Sequence, residues 1–337
     1  MSPFLGVSGL GGAGSLIGVN DDRSLYEFTT FTFTPASQTG KDGPTLTELQ
    51  TAYSGQPFLS GYFTSSNGIQ IWTAPKTGLY EIELRGGSGG GAVTTTGSKA
   101  AGPGLGATII VRHTLTESTQ YNLVVGQQGQ PNDPAGTGGG GGSWIYTGSI
   151  GGSGLIACAG GGGGWYTYNG GSNGMGGSST TDSNRAAVGT TINGYIQNGT
   201  GNTNGIGYGG GQISTGQYAG SASGAGWLSD GSTNSSGQGG DGGAGTRWTG
   251  GTGMEGGFGG GGGGNVTYYG AAGGGGYTGG PAGNGYSGAY WGSGGGGGSY
   301  WISGELQSAT AGANGSGGVN GTANNPEDGY IKITSLS

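Results

Sequence analysis

Phe31 and Phe33 alternate with Thr30, Thr32 and Thr34, and the same period of two returns where Tyr80, Ile82 and Leu84 share one face of Leu79–Arg85. Strand side chains point alternately to opposite faces, so both stretches read as strands with one face in a core. Short apolar runs of strand length follow at 69–73, 107–113, 121–126, 143–147, 155–159 and 330–334. Thr45-Leu46-Thr47-Glu48 is a capping-box pattern, with Leu49 and Tyr53 at helical spacing behind it, and predicts one short helix. About eight short strands and little helix predict a mainly β fold, a two-sheet jelly-roll sandwich. The strand at 330–334 is separated from the others by a stretch with no comparable pattern. If Ile331 and Ile333 join the same core, that stretch leaves the sandwich and returns to it.

Composition identifies the stretch. Of the 97 glycines, 12 lie in residues 1–84, which leaves 85 in the rest of the chain. They fall in runs such as 160–164, 259–264, 273–276 and 294–298 and not at every third position throughout, so a collagen triple helix is excluded. Helical structure is excluded there as well, since each interior glycine costs about 1 kcal/mol relative to alanine. Seven tryptophans, 18 tyrosines and seven phenylalanines set the chain apart from a flexible Gly/Ser linker. Glycine runs ordered as three-residue-per-turn polyglycine II helices can pack side by side, because no Cβ intervenes. One such helix does not repay its ordering entropy in water. A bundle of them, hydrogen-bonded run to run, does.

The expected division is therefore an extended N-terminal arm over 1–25, a jelly roll over 26–160 plus 329–337, and a polyglycine-helix insertion over 161–328. The arm interleaves glycines with Phe4, Leu5, Leu10, Leu16 and Ile17, which bury little unless docked on a partner or a neighbouring copy.

Charge narrows the function. Only 7% of residues are charged and the formal net charge is −7, which argues against nucleic acid and anionic membrane surfaces as partners. No run approaches the ~20 apolar residues of a membrane span, and the N-terminus lacks the basic and apolar regions of a secretory signal, so neither membrane insertion nor a signal peptide is expected. Catalytic groups are scarce. His113 is the single histidine and reads as a strand-end surface residue; Cys158, in Leu155–Ala159, reads as a buried structural thiol. No P-loop or nucleophile elbow occurs, and the scattered carboxylates, including Glu327-Asp328, read as turn residues. No catalytic, cofactor-binding or metal residues are assigned, and the expectation is of a protein that is not an enzyme.

Aromatic residues among Asn, Ser and Gly have two readings. They cap the ends of the glycine lattice, or they form binding loops in which rigid rings make contact and small polar groups adapt. The candidate receptor contacts are Trp165, Tyr166, Tyr168, Tyr268, Tyr269, Tyr286, Tyr290 and Trp291.

Lys41-Asp42-Gly43-Pro44-Thr45, Gly68-Ile69-Gln70-Ile71-Trp72, Pro75-Lys76-Thr77-Gly78-Leu79-Tyr80, Val124-Val125-Gly126-Gln127-Gln128-Gly129, Ile156-Ala157-Cys158-Ala159 with its glycines, and Gly256-Gly257-Phe258 with its glycines follow a familiar order and spacing. Across about residues 28–335 the chain resembles the glycine-rich extracellular domain of anaplastic lymphoma kinase and leukocyte tyrosine kinase. The resemblance implies a tumour-necrosis-factor-like jelly roll with an inserted polyglycine-helix bundle, and by analogy a homotrimer. Those receptors carry several cysteines, a membrane span and a kinase, so their receptor role is not carried over. A looser resemblance is to phage fibre-tip adhesins with polyglycine sandwiches. Together these lead to the expectation of a virion protein, a tail-fibre, nozzle-associated or capsid-fibre component. It would attach to other virion proteins through residues 1–25 and bind a host-surface glycan or protein. A bacterial surface or secreted adhesin is the alternative, and a glycan-degrading enzyme the remaining one.

Overall fold

A computed structural model describes residues 24–91, 102–131, 136–165, 174–181, 221–231, 248–264, 270–283, 293–315 and 327–336. Eleven strands are present among them: β1 (Thr30–Phe33), β2 (Phe63–Ser66), β3 (Ile69–Thr73), β4 (Gly78–Arg85), β5 (Thr108–Leu115), β6 (Gln120–Val124), β7 (Ser143–Tyr146), β8 (Leu155–Ala159), β9 (Tyr300–Trp301), β10 (Leu306–Thr310) and β11 (Tyr330–Ser335). They form two antiparallel sheets in the orders β1-β11-β4-β5-β10 and β2-β3-β6-β7-β8-β9. The mainly β sandwich follows from the alternation in the sequence. Tyr80, Ile82 and Leu84 of β4 face inward with Ile109 and Val111 of β5 and Ile331 and Ile333 of β11, opposite Trp72, Leu123 and Ile145 of the second sheet. Helix α1 (Leu46–Ala52) begins at the expected capping box. Thr45 Oγ1 accepts the Glu48 N–H at 3.3 Å, the Glu48 carboxylate accepts the Thr45 N–H at 2.8 Å, and Leu49 is buried.

Ile331 and Ile333 do return to the core. β11 pairs with β1 on one side, Phe33 opposite Ile331, and with β4 on the other, Ile333 opposite Ile82.

Three strands were not expected from the sequence, and two of them correct the domain division. β9 and β10 lie within residues 161–328, yet β9 pairs with β8 and β10 with β5. Conversely, glycine segments that precede residue 160 belong to the glycine block. Gly87 N–H donates to Gly141 C=O at 2.8 Å, and Gly140 N–H donates to Gly162 C=O at 2.8 Å. Sandwich strands and glycine segments are thus interleaved along the chain.

Inside the block the hydrogen bonds run between backbones. In the run 160–164, Gly161, Gly162 and Gly163 donate in turn to Gly275 (2.7 Å), Gly87 (2.9 Å) and Met175 (2.8 Å), and Gly164 returns to the first neighbour at Ala272 (2.9 Å). Donor direction thus repeats at the third residue. Gly139 and Gly142 likewise donate to one neighbouring run, at Gly262 and Gly259. The run 160–164 also accepts from Gly104, Ala107, Gly140, Gly294 and Gly297, so it exchanges bonds with runs on every side. Glycine is required by this proximity. A Cβ on Gly161 would fall within 3.0 Å of the Gly140 and Gly141 carbonyl oxygens.

Candidate binding surfaces around the glycine block

The block is joined to the sandwich by a second aromatic core. Val124, Trp144, Tyr146, Leu155 and Cys158 point from the second sheet away from the main core, and Trp227, Trp248 and Phe258 from the glycine-rich segments close over them. Trp144 lies 4.3 Å from Trp248 and 5.8 Å from Trp227, centroid to centroid, and Tyr146 meets Trp227 edge-on at 5.3 Å. The Trp227 indole N–H donates to Gly152 C=O at 3.0 Å. These rings act as a seam between the two parts. Such pairs add about 0.5–1.5 kcal/mol each beyond their buried area. Tyr277 and Tyr300, stacked at 4.7 Å, form the half-buried rim of the seam.

Cys158 sits within the seam, wholly buried, and burial pushes its thiol well up from the ordinary range. This inert environment agrees with its reading as structural.

Trp165 requires a correction. It is 1% exposed, and its backbone is tied to Thr137: Trp165 N–H donates to Thr137 Oγ1 at 2.9 Å, and Thr137 N–H donates to Trp165 C=O at 3.1 Å. A ring so enclosed packs and is not a receptor contact. Tyr166, Tyr168, Tyr268, Tyr269, Tyr286, Tyr290 and Trp291 lie outside the described residues, as do Phe4, Leu5, Leu10, Leu16 and Ile17 of the arm.

The polar groups that sequence reading set apart serve the sandwich. His113 is half-buried at the end of β5, with Nδ1 2.8 Å from Glu305 Oε2, and so bridges β5 to the turn before β10. Arg112 pairs with Glu81 at 2.9 Å across β5 and β4. Arg85 reaches Glu327 at 2.5 Å, donates to Asp328 C=O at 2.9 Å and stacks 4.9 Å over the Tyr330 ring. Asp328 Oδ1 accepts the Gln128 N–H at 2.9 Å, and burial is the main cause of its raised pKa. Glu327-Asp328 is therefore a junction between β11 and the glycine block. Among the described residues no group of three or more His, Cys, Asp or Glu side chains converges as metal ligands would.

Beside that junction is a cleft of about 200 Å³, which the sequence did not signal. Arg85 and Gly86 at the end of β4, Leu105 and Gly106 before β5, and Ala311 and Ala313 after β10 form its walls. Gly106 is buried, and its N–H has no hydrogen-bond partner among the described residues.

No family model matches the chain. Over 107 residues it is 33% identical to the leukocyte tyrosine kinase receptor of Mus musculus. That stretch is 31% of this chain and 12% of the receptor. The similarity supports the resemblance drawn from the motifs over a shorter span than the motifs suggested. It covers too little of the receptor to carry that protein's role across.

Proposed function

We propose that the chain is a non-enzymatic structural and binding protein, in which a rigid glycine block on a β-sandwich displays aromatic-rich segments for attachment to a host surface. One observation carries this reading: the third-residue repeat of backbone donors, with runs such as 160–164 bonded to neighbours on every side. That repeat supports polyglycine II helices as the form of the runs. A body held largely by its main chain does not need every aromatic side chain between the runs for packing, which makes those outside the seam candidates for contact. Pairing of Arg85 with Glu327 and of Arg112 with Glu81 supports a structural role for these groups and not a catalytic one.

Within this reading the protein is a virion component that assembles as a homo-oligomer, a trimer by analogy, and is held through its N-terminal segment. The absence of strong charge in the sequence makes stacking and hydrogen bonding the source of affinity, so binding changes little between low and moderate salt. The test uses alanine variants at Tyr166, Tyr168, Tyr268, Tyr269, Tyr286, Tyr290 and Trp291, scored for melting temperature and for binding to host envelopes and immobilised glycans. Variants that melt normally and bind at least about tenfold more weakly support the reading. If all seven melt earlier while folded material binds normally, the rings are lattice caps and the binding claim fails. Release of sugar from host glycan by the purified protein overturns the non-enzymatic claim.

A further inference from the structure

Among the described residues two pairs of tyrosines are in ring contact. Tyr26 and Tyr62, both packed against the main core of the sandwich, have centroids 5.0 Å apart and planes inclined at 36°. Tyr277 and Tyr300, at the rim of the aromatic seam, are 4.7 Å apart and inclined at 28°. The second pair joins two parts of the molecule. Tyr277 follows the glycine run 273–276, and Tyr300 opens β9, which pairs with β8 of the second sheet. Their main chains are pinned through one glycine: Tyr277 N–H donates to Gly298 C=O at 2.8 Å, and Gly298 N–H donates to Thr278 C=O at 2.7 Å. Ser299, next to Tyr300, is fixed as well, with its N–H on Thr180 C=O at 2.7 Å and its hydroxyl on Ser178 C=O at 2.6 Å.

The two pairs differ at their hydroxyls. That of Tyr26 donates to Thr73 C=O, and burial pushes its pKa well up. The hydroxyls of Tyr277 and Tyr300 have no hydrogen-bond partner among the described residues, and both side chains are half-buried, so the two phenols reach solvent. The Tyr277 pKa is raised by burial and then by the Tyr300 hydroxyl, so the two oxygens are near enough to repel when ionised. Oxidative coupling of tyrosines asks for this combination: O–H groups open to an oxidant, and rings held so close that two radicals meet before either is quenched. Holding them turns a chance encounter into an intramolecular step.

We infer that Tyr277 and Tyr300 form an oxidative cross-linking site, in which a one-electron oxidant of the peroxidase class, working with hydrogen peroxide, joins the two rings by a carbon–carbon bond. Each phenol O–H gives up one electron and one proton. The two radicals pair at the Cε carbons beside the hydroxyls, and the hydrogens on those carbons move to the phenol oxygens. The product is a biphenol lacking two hydrogens, and one hydrogen peroxide is reduced to two waters. The rings turn from stacked to edge-to-edge as the bond forms, a rotation open to half-buried side chains. The bond closes the loop 277–300 and rivets the glycine block to β9, where the seam otherwise has only ring contacts and hydrogen bonds.

The test treats the dilute full chain with a peroxidase and hydrogen peroxide, follows biphenol fluorescence, and maps the digested product by mass spectrometry. A peptide pair joined at Tyr277 and Tyr300 and lighter by two hydrogens is expected, in material of single-chain mass. Its yield is expected to exceed that of any Tyr26–Tyr62 link at least about tenfold, since the Tyr26 hydroxyl is engaged. Tyr277→Phe and Tyr300→Phe keep both rings and remove one reacting hydroxyl each, so both variants are expected to melt like the natural chain and to lose this link. In urea the preference is expected to vanish. Absence of the 277–300 link under conditions that join other tyrosines, a yield of it that rises with protein concentration, or an equal preference in the unfolded chain overturns the proposal. Amide exchange in the glycine block that is no slower after cross-linking overturns the rivet. No host surface enters the measurement, so its outcome is separate from that of the attachment reading.

Discussion

Substituting Gly161 by alanine puts one methyl group where the block has no room for it. The new Cβ would lie within 3.0 Å of two carbonyl oxygens of the 136–142 run, and no side chain is available there to swing aside. Either the alanine backbone or its neighbour must shift. The bonds at stake are Gly161 N–H to Gly275 at 2.7 Å, Gly140 N–H to Gly162 at 2.8 Å and Gly297 N–H to Gly161 at 2.9 Å. Overpacking costs about 1–3 kcal/mol. Losing two such bonds adds about 0.5–1.5 kcal/mol each, and the stiffer unfolded chain returns about 0.4–1. The expected net loss is about 2–4 kcal/mol. Gly55→Ala is the control. Gly55 has φ +85° with nothing within 4 Å of its would-be Cβ, so that change costs only the backbone strain of about 1–2 kcal/mol. Urea unfolding followed by tryptophan fluorescence gives the free energies. Amide exchange then locates the damage, with faster exchange expected at the amides of Gly140, residue 161 and Gly297. Gly161→Ala no more harmful than Gly55→Ala, with exchange unchanged at those amides, would refute backbone packing as what holds the block.

Trp248→Ala opens the seam and is expected to cost about 3–5 kcal/mol, with the glycine segments losing exchange protection before the sandwich does; simultaneous loss in both would show that the seam is not a boundary. Tyr53 is buried, accepts the Thr34 N–H, has both Thr34 C=O and Gln70 Oε1 within reach of its single O–H proton, and has its pKa pushed up to about 12 by burial. Its contribution is therefore complete below pH 10, where the unfolded phenol is also neutral, and is lost as pH rises through about 12, a fall of about 2–3 kcal/mol. Unfolding free energies at pH 9 and 12 are expected to show a smaller drop in Tyr53→Phe than in the natural chain; equal drops would defeat the assignment. Cys158 is expected to resist alkylation in the folded protein and to react fully in denaturant, and prompt labelling of the native chain would contradict its enclosure in the seam.

The parts of the fold legible in the sequence are those where one physical cause acts locally. Alternation set the inward face of β4 and β11, and the Thr45–Glu48 pair set the start of α1. β9 and β10 were not legible. Two residues are too few for a period, and Leu306–Thr310 carries Gln, Ser and Thr on a sheet edge, where alternation is not demanded. The aromatic seam was half legible. Aromatic residues among glycines read in general as caps on the glycine runs, but nothing local paired Trp227 and Trp248 with Trp144 and Tyr146 on the sheet. Trp165 misled because an aromatic next to glycines has the same composition whether it caps a lattice or lines a binding loop. The cleft was silent because segments 85–88 and 105–108 are joined in its walls by residues 311–313, which come more than 200 residues later in the sequence.

The place of β11 governs when the sandwich can form. It lies between β1 and β4, yet it leaves the ribosome after every other described strand. Until then the inner faces of β1 and β4 have no strand to join them, and Phe33, Ile82 and Leu84 lack their final covering. Pairing Thr30 with Thr334 must close a span of about 300 residues, a low-probability event in a chain so rich in glycine. Folding of the sandwich is thereby coupled to synthesis of β11, and a product that stops before Tyr330 would carry a split sheet and an exposed apolar surface for proteolysis to find.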